Sequence, residues 1–258
     1  MATPPLTYEA LKRYYEGQNF KNPRDKRLAN EHLALAQLCE QTDRITYRLP
    51  EGSSMPPETY IIGYKVRSIV KVDDQQMPIY GDYHEVEISF PAGYPMTAAA
   101  KCYMQTDAWH PNIKWEGRFK GRICGNTRDF GKLYFLNMLV IRVGEILQYK
   151  NYHAEQTPPF PEDEAVARWV REFAEPKDIV NKQKGIAADN GSLLGHSDEP
   201  PSAPPPPAPE PPAAPPAPGP DAPPPPDPAK PSAGPKIKIM GSKPTEEPKS
   251  SGIKINRK

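Results

Sequence analysis

Cysteine is scarce in this chain: three residues in 258, at positions 39, 102 and 124, with no Cys-x-x-Cys pair among them. An odd, scattered set cannot build a disulfide framework and points to a reducing compartment. An excess of one charge sign is missing too. Thirty-three Lys and Arg stand against 32 Asp and Glu, a net charge of +1, so no overall field draws the chain to nucleic acid. No apolar run approaches the roughly 20 residues that a membrane span requires, so no membrane partner is expected. The stretch Met1-Ala2-Thr3-Pro4-Pro5-Leu6-Thr7 lacks the charged-then-apolar order of a secretory signal. Together these absences predict a cytoplasmic protein.

Proline, by contrast, is plentiful and unevenly placed. Of 36 prolines, 20 fall between Pro200 and Pro235, and that stretch cannot contribute to a packed core. Its Pro/Ala composition predicts an extended spacer. The organisation expected is an N-terminal extension over 1–22, one domain over 23–177, a polar then Pro/Ala-rich disordered linker over 178–235, and a basic tail over 236–258. The tail carries a loose repeat, Lys236-Ile237-Lys238-Ile239 and Gly252-Ile253-Lys254-Ile255. Such β-branched segments on a tether suit strand addition to a partner's sheet edge, or serve only as a solubilising tail.

Within the domain the periodicities alternate. Tyr8, Leu11, Tyr14 and Tyr15 recur at helical spacing and predict a short helix appended to the fold. Asn22-Pro23 offers a cap followed by a proline suited to the first helical position, and Leu28, Leu35 and Leu38 share one face up to about Gln41. Four strands follow, over 45–49, 60–66, 84–90 and 101–105, with turn residues between them, so neighbours should pair as an antiparallel meander. From Trp109 to about Lys132 no periodicity persists, and a long loop inside a compact domain is often functional. Leu136, Leu139, Val140, Val143, Ile146 and Leu147 then lay one apolar stripe along a helix. A last helix runs from Glu162 to about Ala174, with acidic residues in its first turn. The fold class expected is α+β.

Four short motifs lie in order along this frame: Tyr80-Gly81-Asp82; Glu87-Ile88-Ser89-Phe90-Pro91 with Tyr94-Pro95; His110-Pro111-Asn112-Ile113; and Gly121-Arg122-Ile123-Cys124. Their order and spacing resemble those of the ubiquitin-conjugating enzymes over roughly residues 24–175. The resemblance implies the family's α+β fold: an N-terminal helix, a four-stranded antiparallel meander, an active-site loop and C-terminal helices. It also implies the family's chemistry. A ubiquitin-like modifier is received from an activating enzyme as a thioester on Cys124 and passed to an amine of a protein substrate, with a ligase as a further possible partner; no cofactor and no metal are called for.

That chemistry needs a reachable thiol and stabilisation of the oxyanion that forms at the thioester carbonyl. By resemblance Asn112 is either the oxyanion donor or the scaffold of the active-site loop, and His110 and Pro111 are structural at that loop. The family presents its first helix to the activating enzyme, which singles out Arg24, Lys26 and Arg27 as contacts; the plain reading of that basic run is a solvated helix face. Cys39 on a helix and Cys102 in a strand read as small buried hydrophobes.

The chain also departs from the family. Cys124 stands fourteen residues after His110 because Trp115–Lys120 enlarges the loop. Gly125-Asn126-Thr127-Arg128 follows the cysteine, Lys132-Leu133-Tyr134 lacks the family's Trp, and Met96–Ala100 replaces its prolines. These differences fit a divergent member, of the kind found in bacterial ubiquitin-like conjugation operons, rather than a housekeeping eukaryotic enzyme. Two alternatives stay open: a non-catalytic domain of the same fold that binds a ubiquitin-like protein, and an adaptor whose tail does the work.

Overall fold

The computed structural model of the chain describes residues 7–124, 135–158, 160–187 and 191–194. Its helices are α1 (Tyr8–Glu16), α2 (Pro23–Glu40), α3 (Leu136–Leu147) and α4 (Glu164–Trp169), the last continued by a π-helical turn over Val170–Ala174. Strands β1 (Ile45–Arg48), β2 (Thr59–Tyr64), β5 (His84–Ser89) and β6 (Lys101–Met104) form an antiparallel sheet in the order β1-β2-β5-β6. Two hairpins stand apart from it, β3–β4 (Ser68–Val72 with Pro78–Gly81) and β7–β8 (Val180–Asn181 with Gly185–Ile186). The fold is thus mixed α+β.

Local chemistry sets the helix starts. Asn22 Oδ1 accepts from the Arg24 N–H at 2.9 Å ahead of Pro23, and Thr7 Oγ1 does the same for Ala10 in α1. Phe135, at the N-cap position of α3, makes no side-chain cap bond. The Leu136 N–H of that helix donates instead to the carboxylate of Glu31, a residue of α2 with no exposed surface. Glu31 also accepts from Arg27 Nε and from the Tyr94 hydroxyl. One buried carboxylate therefore joins two helices and the loop after β5, and favours the positive end of the α3 dipole.

Alternation in β5 points Val86 and Ile88 inward and Glu85 and Glu87 outward. The inner face meets the apolar stripe of α3, and the Tyr64 hydroxyl donates to the Val140 carbonyl at 2.9 Å across that contact. A second apolar cluster collects Ile69 of β3, Tyr149, Tyr152, Trp169, Val170, Val180 and Ile186. Between α1, α2 and β1 runs a buried polar relay: His32 meets the Tyr15 hydroxyl through Nδ1 (2.9 Å) and the Tyr47 hydroxyl through Nε2 (3.0 Å).

Four expectations need correction. Helix α1 is no appendage, because Leu11 is wholly buried, Tyr15 nearly so, and the Tyr8 N–H donates to Glu40 Oε1. The N-terminal extension over 1–22 thus contributes to the core. Tyr80 and Gly81 are strand residues of β4, not a turn, and the β3–β4 hairpin is inserted between β2 and β5. The last helix begins at Glu164 rather than Glu162, since Asp163 is its cap. The chain also does not leave the fold at residue 177. Val180, Ile186 and Leu193 are buried, and the Leu193 carbonyl accepts from Thr42 Oγ1 at 2.7 Å. The polar segment from 178 holds too few apolar residues to show a period, yet these three find buried places while Leu194 stays exposed. Expectations for residues 125–134, for the Pro/Ala-rich spacer and for the Lys-Ile repeats lie outside the described residues.

Candidate active site

The loop from Trp109 to Cys124 is held from three sides. At its start, the His110 carbonyl accepts from the Ile113 N–H at 2.9 Å and closes a tight turn. His110 Nδ1 accepts from the Asn112 N–H at 3.0 Å, so the ring proton sits on Nε2. The imidazole has no exposed surface and lies edge-on to Tyr149, with ring centroids 4.4 Å apart. Burial pushes it down to about 3, so at neutral pH it is an uncharged brace. Pro111 offers its carbonyl to the Asp163 N–H at 3.1 Å.

On the second side, the returning strand of the loop lies along β6. Residues 113 and 123 bridge one another, as do 103 and 122, and the Ile123 N–H donates to the Cys102 carbonyl at 3.0 Å. Gly121 makes that approach possible. Its φ is +84°, and a Cβ there would lie 2.7 Å from the Met104 carbonyl oxygen, a contact no other side chain tolerates.

Asp163 holds the third side. Its Oδ1 accepts from the Ala165 and Val166 N–H groups at the start of α4, while Oδ2 takes Lys114 Nζ at 2.9 Å and the Trp115 N–H at 3.1 Å. Burial raises this carboxyl, but the Lys114 bond and the two N–H groups outweigh it and leave it below the usual carboxylate range. The enlarged segment is therefore fastened at its base. Its exposed part carries a cation over each of two rings, Arg122 over Phe119 at 4.6 Å and Lys120 over Trp115 at 5.4 Å. With Met104, Gln105, Asp107 and Ile113 it walls a cleft of about 270 Å³.

Cys124 ends this framework, half-buried. Its N–H donates to the Asn112 carbonyl at 2.8 Å, and Asn112 Nδ2 donates back to the Cys124 carbonyl at 2.9 Å. Asn112 Oδ1 in turn accepts from the His153 N–H at 2.9 Å. Asn112 thus ties the cysteine to the segment after α3, with one Nδ2 hydrogen free of any acceptor among the described residues. The other two thiols are placed differently. Cys102 is buried in β6 and Cys39 is packed against the core, and burial pushes each up to about 12, which leaves both chemically quiet.

Of the basic residues at the start of α2, only Lys26 projects freely into solvent. Arg24 pairs with Glu58 and donates to the Phe90 and Pro91 carbonyls. Arg27 pairs with Glu31, reaches the Tyr94 hydroxyl and lies 4.4 Å over the Phe135 ring. Both guanidinium groups serve the fold.

Sequence reasoning missed His153 and Asp163 as residues of the site. His153 acts on Asn112 through its backbone, which leaves no sequence signal. Asp163 was legible only as an acidic residue at a helix start. No family model matches the chain, and no curated protein matches it. Fold and site together define a mixed α+β domain with one half-buried cysteine locked to an Asn-bearing turn.

Proposed function

We propose that the chain is a thioester carrier of the ubiquitin-conjugating type. Cys124 Sγ attacks the thioester that an activating enzyme forms with the C-terminus of a ubiquitin-like modifier, and the activating enzyme's thiol leaves. An amine of a protein substrate then attacks the Cys124 thioester. A tetrahedral oxyanion forms, collapses to an amide, and returns the Cys124 thiol. The modifier, the activating enzyme and any ligase are partners in this reading, and the domain is a thioester-handling acyltransferase.

One observation carries it: the amide of Asn112 is oriented by its bonds to the His153 N–H and to the carbonyl of Cys124, the residue that bears the half-buried thiol, and keeps one N–H without an acceptor among the described residues. That is the kind of preoriented donor an oxyanion needs. The order of α2, the four-stranded sheet, the loop and the following helices supports the same reading, as do the quiet environments of Cys39 and Cys102. Lys26, the exposed basic residue at the start of α2, is the first candidate to meet an activating enzyme, with the half-buried Arg24 and Arg27 beside it.

The test is to incubate the purified chain with ATP and an extract of cells that express it, and to follow its mass on non-reducing gels. A mass increase lost on reduction, absent in Cys124→Ala and resistant to thiols in Cys124→Ser, supports the proposal. Adduct formation on Cys102, or persistence in Cys124→Ala, defeats it. Asn112→Ala separates the two roles of that residue. Loss of the oxyanion donor slows discharge to an amine by about 10²-fold with loading preserved, whereas a purely scaffolding residue alters stability alone.

A further inference from the structure

We propose that Lys114 is a built-in acceptor for the acyl group carried by Cys124, so that the chain modifies itself at this lysine. The inference rests on the thioester reading of Cys124 and gives that thioester a second fate.

The register of the loop places the two residues together. Ile113 and Ile123 form an antiparallel bridge, and both are buried. The pairing continues on either side of them. The Cys124 N–H donates to the Asn112 carbonyl at 2.8 Å, and the Lys114 N–H donates to the Arg122 carbonyl at 2.9 Å. Side chains alternate between the two faces of such a ribbon. With the isoleucines turned inward, Asn112, Lys114, Arg122 and Cys124 share the outer face, and all four are half-buried. Cys124 stands opposite Asn112 and diagonal to Lys114. Diagonal neighbours on one face lie about 7–8 Å apart, a gap that long side chains span.

Lys114 is the one amine among these four. The Arg122 guanidinium stays protonated and is no nucleophile, and it is turned to Glu162 and to the Phe119 ring. Lys120 precedes the Gly121 turn, pairs with Asp107 and lies over Trp115. Lys114 Nζ rests 2.9 Å from Asp163 Oδ2 on a partly exposed side chain. Asp163 does not depend on that bond, because the Trp115, Ala165 and Val166 N–H groups all hold its carboxylate. The lysine can therefore leave Asp163 for Cys124 without unfastening the loop.

The transfer balances without a co-reactant. The Lys114 ammonium releases one proton to solvent, and the amine attacks the carbonyl carbon of the Cys124 thioester. The C–N bond forms, the C–S bond breaks, and one of the two remaining N–H protons passes to the leaving thiolate. An amide on Lys114 and a free Cys124 thiol result. The product sets the acyl group diagonal to the thiol, where a protein-sized modifier obstructs the next loading.

The experiment uses the full-length chain and the thioester of N-acetylglycine with 2-mercaptoethanesulfonate, which acylates a thiol by exchange and needs no activating enzyme. Tandem mass spectrometry of the digested chain locates the acyl group. With the chain at micromolar concentration, the millimolar effective concentration of a short tether favours Lys114 over amines of other molecules by about 10³-fold. The expected result is an amide on Lys114 that Cys124→Ala abolishes. In Lys114→Arg, which keeps a cation for Asp163, the acyl group stays on Cys124 and is released by thiols. An amide spread evenly over the lysines overturns the inference. So does one that persists on Lys114 in Cys124→Ala, or an acyl group that never reaches nitrogen. A chain that forms no reducible adduct with ATP and extract, yet moves the acetylglycyl group to Lys114, refutes the proposed function alone. A chain that loads a modifier on Cys124 and leaves Lys114 unacylated refutes this transfer alone.

Discussion

Asn112→Asp replaces one NH₂ group by an oxygen at the point where the loop closes. The bond from the His153 N–H survives, since the new side chain still presents an oxygen there at the observed 2.9 Å. The bond to the Cys124 carbonyl, also 2.9 Å, becomes a contact between two oxygens with no hydrogen between them. A net hydrogen bond contributes about 1 kcal/mol, and a partner left unsatisfied in a half-buried place raises the loss to about 1–3 kcal/mol. Asn112→Ala loses both bonds but sets no charge against the carbonyl, so Asn112→Asp is expected to be the less stable of the two at pH 7. The pH dependence gives the sharper check. Protonation restores a donor toward Cys124, so the folded-state pKa of the new carboxyl lies above its unfolded value of about 3.9. The destabilisation is therefore complete above the folded pKa and fades as pH falls through it. Urea unfolding of wild type and both variants at about pH 7 and about pH 4, compared at each pH, reads this directly. An Asn112→Asp penalty that fails to shrink in acid, or a variant as stable as wild type at pH 7, refutes the geometry assigned to the loop.

Cys124→Ala should leave the urea midpoint within about 0.5 kcal/mol of wild type and remove any reducible adduct, while Cys102→Ala keeps the adduct and loses about 1 kcal/mol. Acid should weaken the fold through His32, which burial lowers to about 4. Its unfolded state binds the proton first, so stability falls as pH drops from about 6.5 to about 4, by on the order of 3 kcal/mol. His110, lowered to about 3, acts in the same direction, and His32→Gln should flatten the slope of stability against pH in that window. Leu193→Ala should cost about 2–3 kcal/mol by emptying a buried site, whereas truncation at Asp198 should leave both the unfolding midpoint and adduct formation unchanged.

What the sequence made legible were the features with a short period or a local cause. The stripe from Leu136 to Leu147, the alternation of β5 and the Asn22-Pro23 start each depend on neighbours a few residues away, and the structure has all three. The α+β class follows from them. Features that depend on distant partners stayed hidden. Glu31 reads as a surface acid in the middle of a helix, yet its partners include Tyr94 and Leu136, 63 and 105 residues away. Tyr15 gave a helical period, but its burial depends on His32 and Phe20 closing around it. In the site, the turn at 110–112 and the cysteine were visible as motifs. The backbone donor of His153 and the second oxygen of Asp163 were not, because neither function depends on a pattern that a linear reading detects.

The returning strand of the loop has a consequence unrelated to catalysis. The outer edge of β6 is occupied by residues 121–123, which bond to Cys102 and Met104. An uncovered edge strand is a template for pairing with another chain. The backbone contacts that carry Cys124 to its place thus also close one flank of the sheet to intruders. Variants that peel the loop away, such as a bulky residue at Gly121, should form intermolecular assemblies even with the thiol removed.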